Sequence, residues 1–418
     1  MNVYLKNKVY RFLTNASLLN AIGNSLYNIV FIVYASTLPF NTLAVSLASI
    51  TIFIPSFFQP FIGHFADKTK GKTKWIIRAR LGQFLLFLLL AKVILIEPSL
   101  ALFLLLLIIN VLGDCLGTFS GSLQLPFFKQ LISEEDLTEA MGFQSGLNTL
   151  IQLIFQGLGA FAIVKLKYNF SLFGLINAIT FLLAALIIVI HYNFINSLEQ
   201  QMISQTEQKK TTFISDFKET MTIFLNNPFL KMIIFFAVLI NLLFSSAEGL
   251  LNISLLDRQI LWFGNLPNTI ALVSISTSVG LLLGSLLTMD FFKYIKSLTI
   301  ISLILINACL LPFTLIVIQS KWLMALLLFS FGYLLGKINP RLSAYLISEV
   351  PTEKLGLTSG IFNVLAMAGA PLGQLIFLGT ANLINDLLSW IIFGTLSFLF
   401  FIYAVLGNNK VSDPITIN

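Results

Sequence analysis

The sequence predicts an all-α polytopic membrane protein with twelve transmembrane helices in two pseudo-symmetric six-helix halves. Composition, the recurrence of long apolar runs and the distribution of basic residues all lead to this fold class. Hydrophobic residues make up 57% of the 418 residues and charged residues only 10%, and the mean hydropathy is +0.91. So few charges cannot cover the surface of a water-soluble protein of this length.

Apolar runs of about 20 residues, the length that crosses a bilayer, recur along the whole chain. The longest polar interval, residues 193–228, separates them into two groups of six and predicts a cytoplasmic linker with an amphipathic helix. The two halves are then residues 1–192 and 229–418. The twelve predicted spans are residues 12–37, 42–66, 75–97, 99–126, 140–164, 169–192, 229–250, 266–289, 298–319, 321–345, 356–380 and 385–407.

The basic residues predict the orientation, because Lys and Arg near span ends stay on the cytoplasmic side. With both termini in the cytoplasm of a cell that carries the protein in its plasma or inner membrane, most basic residues lie inside. The net charge of +7 then needs no nucleic-acid partner. The outer face receives only Lys92, Lys165, Lys167, Arg258 and Lys321.

No pattern in the chain is typical of an enzyme. There is no phosphate-binding glycine loop followed by Lys-Ser or Lys-Thr, and no hydroxyl nucleophile has a partner base. Two histidines cannot make a metal site alone, and the two cysteines, Cys115 and Cys309, lie within spans and predict no disulfide. We therefore expect no cofactor and no metal. A proton gradient is the ordinary energy source that remains, with a sodium gradient or simple facilitation as open alternatives.

The two halves share sequence features around the start of spans five and eleven. Residues 131–134 and 346–349 both read LISE, and three glycines recur at an offset of 214 residues. Glycine is common in spans as a packing residue, but this does not explain the constant offset of the three glycines. The glycines are Gly142, Gly146 and Gly159 in the first half and Gly356, Gly360 and Gly373 in the second.

Residues 63–74, GHFADKTKGKTK, place a dense charge cluster between spans two and three. The cluster resembles the loop that follows span two in the major facilitator superfamily: Gly, three residues, Asp, a basic residue, one residue, Gly and a basic pair. Gly63, Asp67 and Lys68 fit this pattern, and Gly71 comes one residue late because Lys70 stands where the family has glycine.

The resemblance extends to residues 216–236, DFKETMTIFLNNPFLKMIIFF, and to span eleven with Gly356, Pro371 and Gly373. Both are similar to the macrolide-efflux and multidrug exporters of that superfamily. The resemblance implies proton-coupled efflux of hydrophobic or cationic small molecules by a protein that we expect to be a monomer.

Three departures from the exporter pattern concern coupling and gating. Span four carries Asp114 where drug antiporters often have Arg, and residues 156–159, QGLG, lack the proline of many antiporters. The second-half copy of the loop, residues 289–298, keeps Asp290 and two lysines but has no glycine.

The resemblance also places Asp67 opposite the N-terminus of span eleven, near Gly356. A helix N-terminus offers unpaired amide donors and about half a positive charge, so a carboxylate there would hold the inside gate shut. We predict a gating loop formed by Gly63, Asp67, Lys68 and Gly71. The loop lysines are expected mainly to keep the loop in the cytoplasm.

Ionisable side chains inside spans are functional candidates by default. Asp114 in span four and Glu248 in span seven are predicted proton carriers, although Glu248 could be interfacial. Lys337 and Arg341, one helical turn apart in span ten, are predicted charge partners. The alternatives are that Lys337 neutralises Asp114 and that Arg341 reaches the cytoplasmic surface.

Polar residues at helical spacing in spans one, five and seven predict a cavity wall, with interhelical hydrogen bonding as the alternative. The substrate-cavity candidates are Asn24, Asn28, Asn148, Gln152, Asn241 and Asn252. Besides a proton-coupled exporter, two other functions remain open. One is a specific carrier of a siderophore, a lysolipid or a nutrient, and the other is a non-transporting membrane sensor or immunity protein.

Overall fold

The computed structural model describes residues 2–40, 43–44, 47–48, 51, 54–203, 212–287 and 290–408. The described residues are almost entirely helical and contain no strand. Much of the first part of predicted span two, linker residues 204–211, and residues 288–289 at the end of predicted span eight lie outside them.

Seventeen α-helices follow one another along this part of the chain. The first nine are α1 (Asn2–Lys6), α2 (Lys8–Thr37), α3 (Ile54–Lys68), α4 (Lys72–Val93), α5 (Leu100–Leu131), α6 (Glu134–Lys165), α7 (Phe170–Ile190), α8 (Tyr192–Ile203) and α9 (Phe213–Asn226). The others are α10 (Pro228–Asp257), α11 (Leu266–Leu286), α12 (Ser297–Phe313), α13 (Lys321–Glu349), α14 (Leu355–Met367), α15 (Gly369–Gly373), α16 (Gly379–Leu383) and α17 (Asp386–Asn408).

The predicted fold class, an all-α polytopic membrane protein, is confirmed. Within the described ranges, ten helical segments are long and apolar enough to cross a membrane. The two other predicted spans correspond to α3, which has 15 described residues, and to α4, whose sequence includes Lys72, Lys74, Arg78, Arg80 and Lys92. Predicted span eleven is one interrupted helix: α14, α15, a π-helical turn at Gln374–Leu378 and α16.

Short polar residues start several of these helices, as capping predicts. At the Asn-Pro turn before span seven, the Asn227 side chain accepts hydrogen bonds from the Phe229 and Leu230 amides. Pro228 follows in the first helical position, where its missing amide hydrogen has no consequence. Asn7, Ser99, Asn169 and Asn265 cap α2, α5, α7 and α11 in the same way.

The first of two compact units comprises Met1–Ala140, Leu147–Phe217 and Leu346–Ile361. In it, α4 packs against α5 and α7, α2 packs against α7, and α3 packs against α5. An aromatic cluster formed by Tyr27, Phe31, Phe87, Phe103 and Phe181 lies in its core. Residues 346–361 come from the second half of the sequence, yet they pack within this unit.

The second unit comprises Met141–Gly146, Lys218–Tyr345 and Phe362–Asn418. Here α12 packs against α17, and α10 packs against α15. Helices α11 and α13 approach main chain to main chain through glycines: a Cβ added at Gly284 would lie 2.1 Å from the Tyr333 carbonyl oxygen. Gly280, Gly332 and Gly336 make similar approaches, at 2.1, 2.0 and 2.4 Å, along the same pair of helices.

Candidate functional site

The Asp67 side chain at the end of α3 caps the start of α14. It is only 5% exposed, and its two carboxylate oxygens accept hydrogen bonds from the Gly356 and Leu357 amides, both at 2.9 Å. These amides belong to the first turn of α14, where no intrahelical acceptor is available. The negative charge is also placed where the helix dipole favours it.

Glycines allow α3 and α14 to approach closely enough for this contact. A Cβ added at Gly63 would lie 2.0 Å from the Gly356 carbonyl oxygen, and one added at Gly360 would lie 2.6 Å from the Gln59 carbonyl. A side chain at either glycine would therefore collide with main-chain atoms of the facing helix unless one of the two helices moved. The predicted gating glycine Gly71 acts differently: its φ of 70° is left-handed, and it begins α4.

Of the four loop lysines, two contact other groups of the protein and two are exposed. The Lys72 amine donates to the carbonyls of Ala66 (2.6 Å) and Asp67 (3.2 Å) at the C-terminus of α3. Lys68 forms an ion pair with Asp216 at 3.2 Å. Lys70 and Lys74 are exposed, which fits the topological role that the sequence predicts for them.

Two buried carboxylates on the linker helices contact residues in the same region of the first unit. Asp216 on α9 is 2% exposed, and besides Lys68 it faces His64 at 3.4 Å and Lys354 at 3.8 Å. Glu199 on α8 is also buried and caps α4 by accepting from the Thr73 amide at 2.9 Å and hydroxyl at 2.7 Å. The sequence does not predict either contact, because each joins residues that lie far apart in the chain.

A cavity of about 360 Å³ lies between helices of the first unit. Four of the six predicted cavity residues line it: Asn24 and Asn28 from α2, and Asn148 and Gln152 from α6. Gly117 and Gly121 of α5 contribute wall without side chains. The other lining residues are Ser17, Asn20, Ala21, Ser25 and Arg80.

Arg80 on α4 is the residue of this cavity that sequence reasoning missed. It is 2% exposed, and its guanidinium Nη1 donates to the side-chain oxygens of Asn20 and of Gln83, the latter at 2.8 Å. Its Nε has no hydrogen-bond partner within the part of the chain that the structure describes. The sequence contained a signal: Ile76, Ala79, Gln83 and Phe87 form the buried stripe of α4, and Arg80 lies on that stripe.

The candidate proton carrier Asp114 lies beside the cavity. Its carboxylate accepts a hydrogen bond from the Asn24 amide at 3.5 Å, so one cavity-lining residue also contacts the acidic group. The second candidate, Glu248, belongs to the second unit, is exposed, and accepts from the Ser274 hydroxyl at 3.1 Å.

The predicted charge partners organise the second-half loop. Lys337 forms an ion pair with Asp290 at 2.7 Å and also donates to the Leu287 carbonyl. The Arg341 guanidinium donates to the carbonyls of Ile295, at 2.7 Å, and Phe292.

The two remaining predicted cavity residues, Asn241 and Asn252, belong to the second unit. The Asn241 amide donates to the Ala237 carbonyl of its own helix at 3.0 Å. The Asn252 side-chain oxygen is buried, and no described residue forms a hydrogen bond with it.

Comparison with known proteins gives one family and a set of distant structures. The model of the Major Facilitator Superfamily matches residues 13–374. No curated protein sequence matches the chain.

Three similar solved structures have different cargoes in their descriptions. The structure of a bacterial homologue of the iron transporter ferroportin, in its outward-facing state, has a TM-score of 0.67 at 14% identity, covering 97% of this chain and 99% of that one. The human organic anion transporter has a TM-score of 0.66 at 13% identity, covering 95% and 98%. The Escherichia coli fucose:proton symporter has a TM-score of 0.60 at 13% identity, covering 95% and 98%.

Proposed function

Because the chain belongs to the major facilitator superfamily, whose members are membrane transporters and not enzymes, we propose that it is a proton-coupled secondary active exporter. It would act in the cell membrane, with both termini in the cytoplasm, and move a small molecule by alternating access. The observation that carries this proposal is the Asp67 carboxylate held by the first-turn amides of α14.

The Asp67 contact is suited to a gate because its hydrogen bonds stabilise the closed state, and water can replace them when the contact opens. Each hydrogen bond to a charged group contributes about 1.5–3 kcal/mol. Opening would expose a carboxylate and two amide donors to water, which can solvate all three groups. A cargo that binds the open state more tightly could therefore shift the equilibrium between the two states.

Asp114 is the proposed coupling residue. A carboxyl group beside a polar cavity within the membrane is a functional candidate, because placing a charged side chain inside the bilayer costs free energy. Its contact with Asn24 gives the proton site and the cavity a shared residue. A change in the protonation of Asp114 would therefore alter the interaction of Asn24 with a bound cargo.

Two candidate functions differ in the cargo that the protein would carry. Efflux of hydrophobic or cationic molecules follows from the sequence resemblance to drug exporters. The amide-rich lining of the cavity favours the other candidate, a specific carrier of a polar solute. The different cargoes in the descriptions of the similar structures agree with the rule that this fold alone does not select a substrate.

The test of transport is accumulation of a fluorescent cation, ethidium, in cells with and without the gene, extended to a panel of radiolabelled polar solutes. We expect expression to lower the accumulation of at least one compound, and a protonophore to remove that difference. No change with any compound would support a sensor or immunity protein instead.

Asp114→Asn with Glu248→Gln as the matched control tests the coupling site. Asp114→Asn is expected to remove the response to the proton gradient, while Glu248→Gln keeps it, because Glu248 is exposed. Gradient-driven transport by Asp114→Asn would exclude that residue from coupling.

A further inference from the structure

We infer that the cavity of the first unit binds a small organic anion, whose carboxylate or phosphate group pairs with Arg80. This assignment rests on the proposed function, since it names the class of cargo. It differs from the hydrophobic or cationic cargo implied by the sequence resemblance.

The first argument is the charge of Arg80. An ionised side chain inside a membrane protein is costly unless a counter-charge and hydrogen bonds compensate it. Among the residues that the structure describes, no carboxylate lies within ion-pairing distance of the Arg80 guanidinium, and its hydrogen-bond acceptors are the neutral side chains of Asn20 and Gln83. A guanidinium keeps its proton at any physiological pH, so it cannot avoid the cost by becoming neutral.

The second argument is that Arg80 is held in place with donor capacity to spare. The Gln83 amide donates to the Gly113 carbonyl at 2.9 Å and to the Asn20 oxygen at 3.3 Å, which fixes both acceptors. Only Nη1 of the five-donor guanidinium is used by these contacts, and the buried Nε has no acceptor among the described residues. The planar guanidinium matches the two oxygens of a carboxylate or phosphate better than any other side chain does.

The third argument is the rest of the cavity. Its volume of about 360 Å³ falls within the range of small-molecule sites. The amides of Asn24, Asn28, Asn148 and Gln152 supply further donors and acceptors for a polar body. At Gly121 an added Cβ would meet no atom of the described residues within 4 Å, so this part of the cavity wall leaves open space.

The competing explanation is that Arg80 only fastens α4 to α2 through Asn20. That role would be complete without a ligand, and it predicts no difference between an acid and its neutral analogue. The test therefore compares ligands of similar size and different charge.

Binding is measured as the thermal shift of the purified full-length chain in detergent. The probes are glucuronate, glucose and glucosamine, with benzoate, benzamide and benzylamine as an apolar set and glucose 6-phosphate as the phosphate source. We expect stabilisation by at least one acid or by the phosphate, with smaller shifts from the neutral and amine analogues. Larger shifts from the neutral or amine compounds, or no charge preference in either set, would overturn the inference.

Arg80→Gln removes the charge and retains a donor for Asn20, while Arg78→Gln makes the same change two residues away at an exposed position. Arg80→Gln is expected to weaken anion binding about 10- to 100-fold, and Arg78→Gln to change it less than about twofold. Equal effects of the two changes would contradict a specific site.

Gly121→Leu provides a second route if Arg80→Gln fails to fold. It fills open cavity space and leaves Arg80 in the sequence, whereas Gly157→Leu fills space outside the cavity, where an added Cβ also meets no atom of the described residues within 4 Å. Loss of anion binding only in Gly121→Leu supports the site, and retained binding in that variant contradicts it.

Flux into proteoliposomes separates this inference from the proposed function. If anions bind through Arg80 but no flux is found, the exporter proposal fails and the binding site stands. If a neutral or cationic compound is transported and Arg80→Gln transports it normally, the exporter proposal stands and the anion site fails.

Discussion

The loops that follow span two and span eight use an acidic residue in different ways. In the first half, Asp67 is buried and both of its oxygens accept backbone amide hydrogens from the start of α14. In the second half, the Asp290 side chain is 25% exposed and pairs with Lys337 on α13.

The two contacts differ in what holds each carboxylate in place. The Asp67 contact depends on the closeness of two helices, which the glycines Gly63 and Gly356 permit. Asp290 also accepts from the Tyr333 hydroxyl and from the Phe292 amide of its own loop. Its loop, which lacks glycines, is held by side chains that reach it from α13. The first contact is suited to opening and the second to permanent structure.

The largest expected effect is that of Asp67→Asn. The neutral amide offers one acceptor in place of two, so one buried amide of α14 is left unpaired and the favourable interaction with the helix dipole is lost. We expect transport to fall about 10- to 100-fold, with normal membrane insertion measured by fractionation and immunoblotting. The matched change Asp290→Asn should leave transport within about threefold, because water reaches that carboxylate. Unchanged transport in Asp67→Asn would remove the gate assignment.

Gly63→Ala tests whether helix closeness is the basis of the first contact. The added Cβ would lie 2.0 Å from the Gly356 carbonyl oxygen, so α3 or α14 must move. Overpacking of this kind costs about 1–3 kcal/mol, and transport should fall about tenfold. Gly157→Ala, whose Cβ would meet no atom of the described residues within 4 Å, is the control for loss of a glycine. Equal transport by the two variants would show that the close approach is dispensable.

Arg341→Lys tests the structural character of the second loop. A lysine cannot reproduce the fork that holds the carbonyls of Ile295 and Phe292. We expect thermal unfolding in detergent to show a loss of about 1 kcal/mol while transport stays within about twofold. Lys296→Gln, at an exposed position of the same loop, should change neither. A transport loss that exceeds that of Asp67→Asn would reverse the roles given to the two loops.

The smallest effect is expected for Lys70→Gly, which restores the glycine spacing of the superfamily pattern. Lys70 is exposed, so its removal should change transport by less than about twofold. Flux measurements at matched expression, beside Lys68→Gly, would test this. Because Lys68 pairs with buried Asp216, only the Lys68 variant should lose activity.

Hydropathy predicted the fold class and the order of the helices, but it underestimated several helix lengths. Predicted span five begins at residue 140, whereas α6 begins at Glu134. Its first turn contains three acidic residues, which stabilise a helix N-terminus but lower the hydropathy of the segment. Apolar runs therefore locate the membrane part of a helix and leave out its polar extension.

Cavity-lining residues were predictable where helical spacing alone determines which side of a helix a residue occupies. Asn24, Asn28, Asn148 and Gln152 were identified in this way, and all four line one cavity. Partners that come from distant parts of the chain were not predictable. The pairing of Lys337 with Asp290, and the burial of Asp216 beside Lys68, depend on how separate helices pack.

The glycine contacts between α11 and α13 have a mechanical consequence. Where a carbonyl of one helix faces a glycine of the other, no side chain lies between them whose rotation could absorb sliding. A shift of either helix along its axis would place the Cβ of a non-glycine residue where the facing main chain leaves room only for a glycine. In any conformational cycle these two spans must move as one stiff element, so bending within the second unit has to take place at other helices.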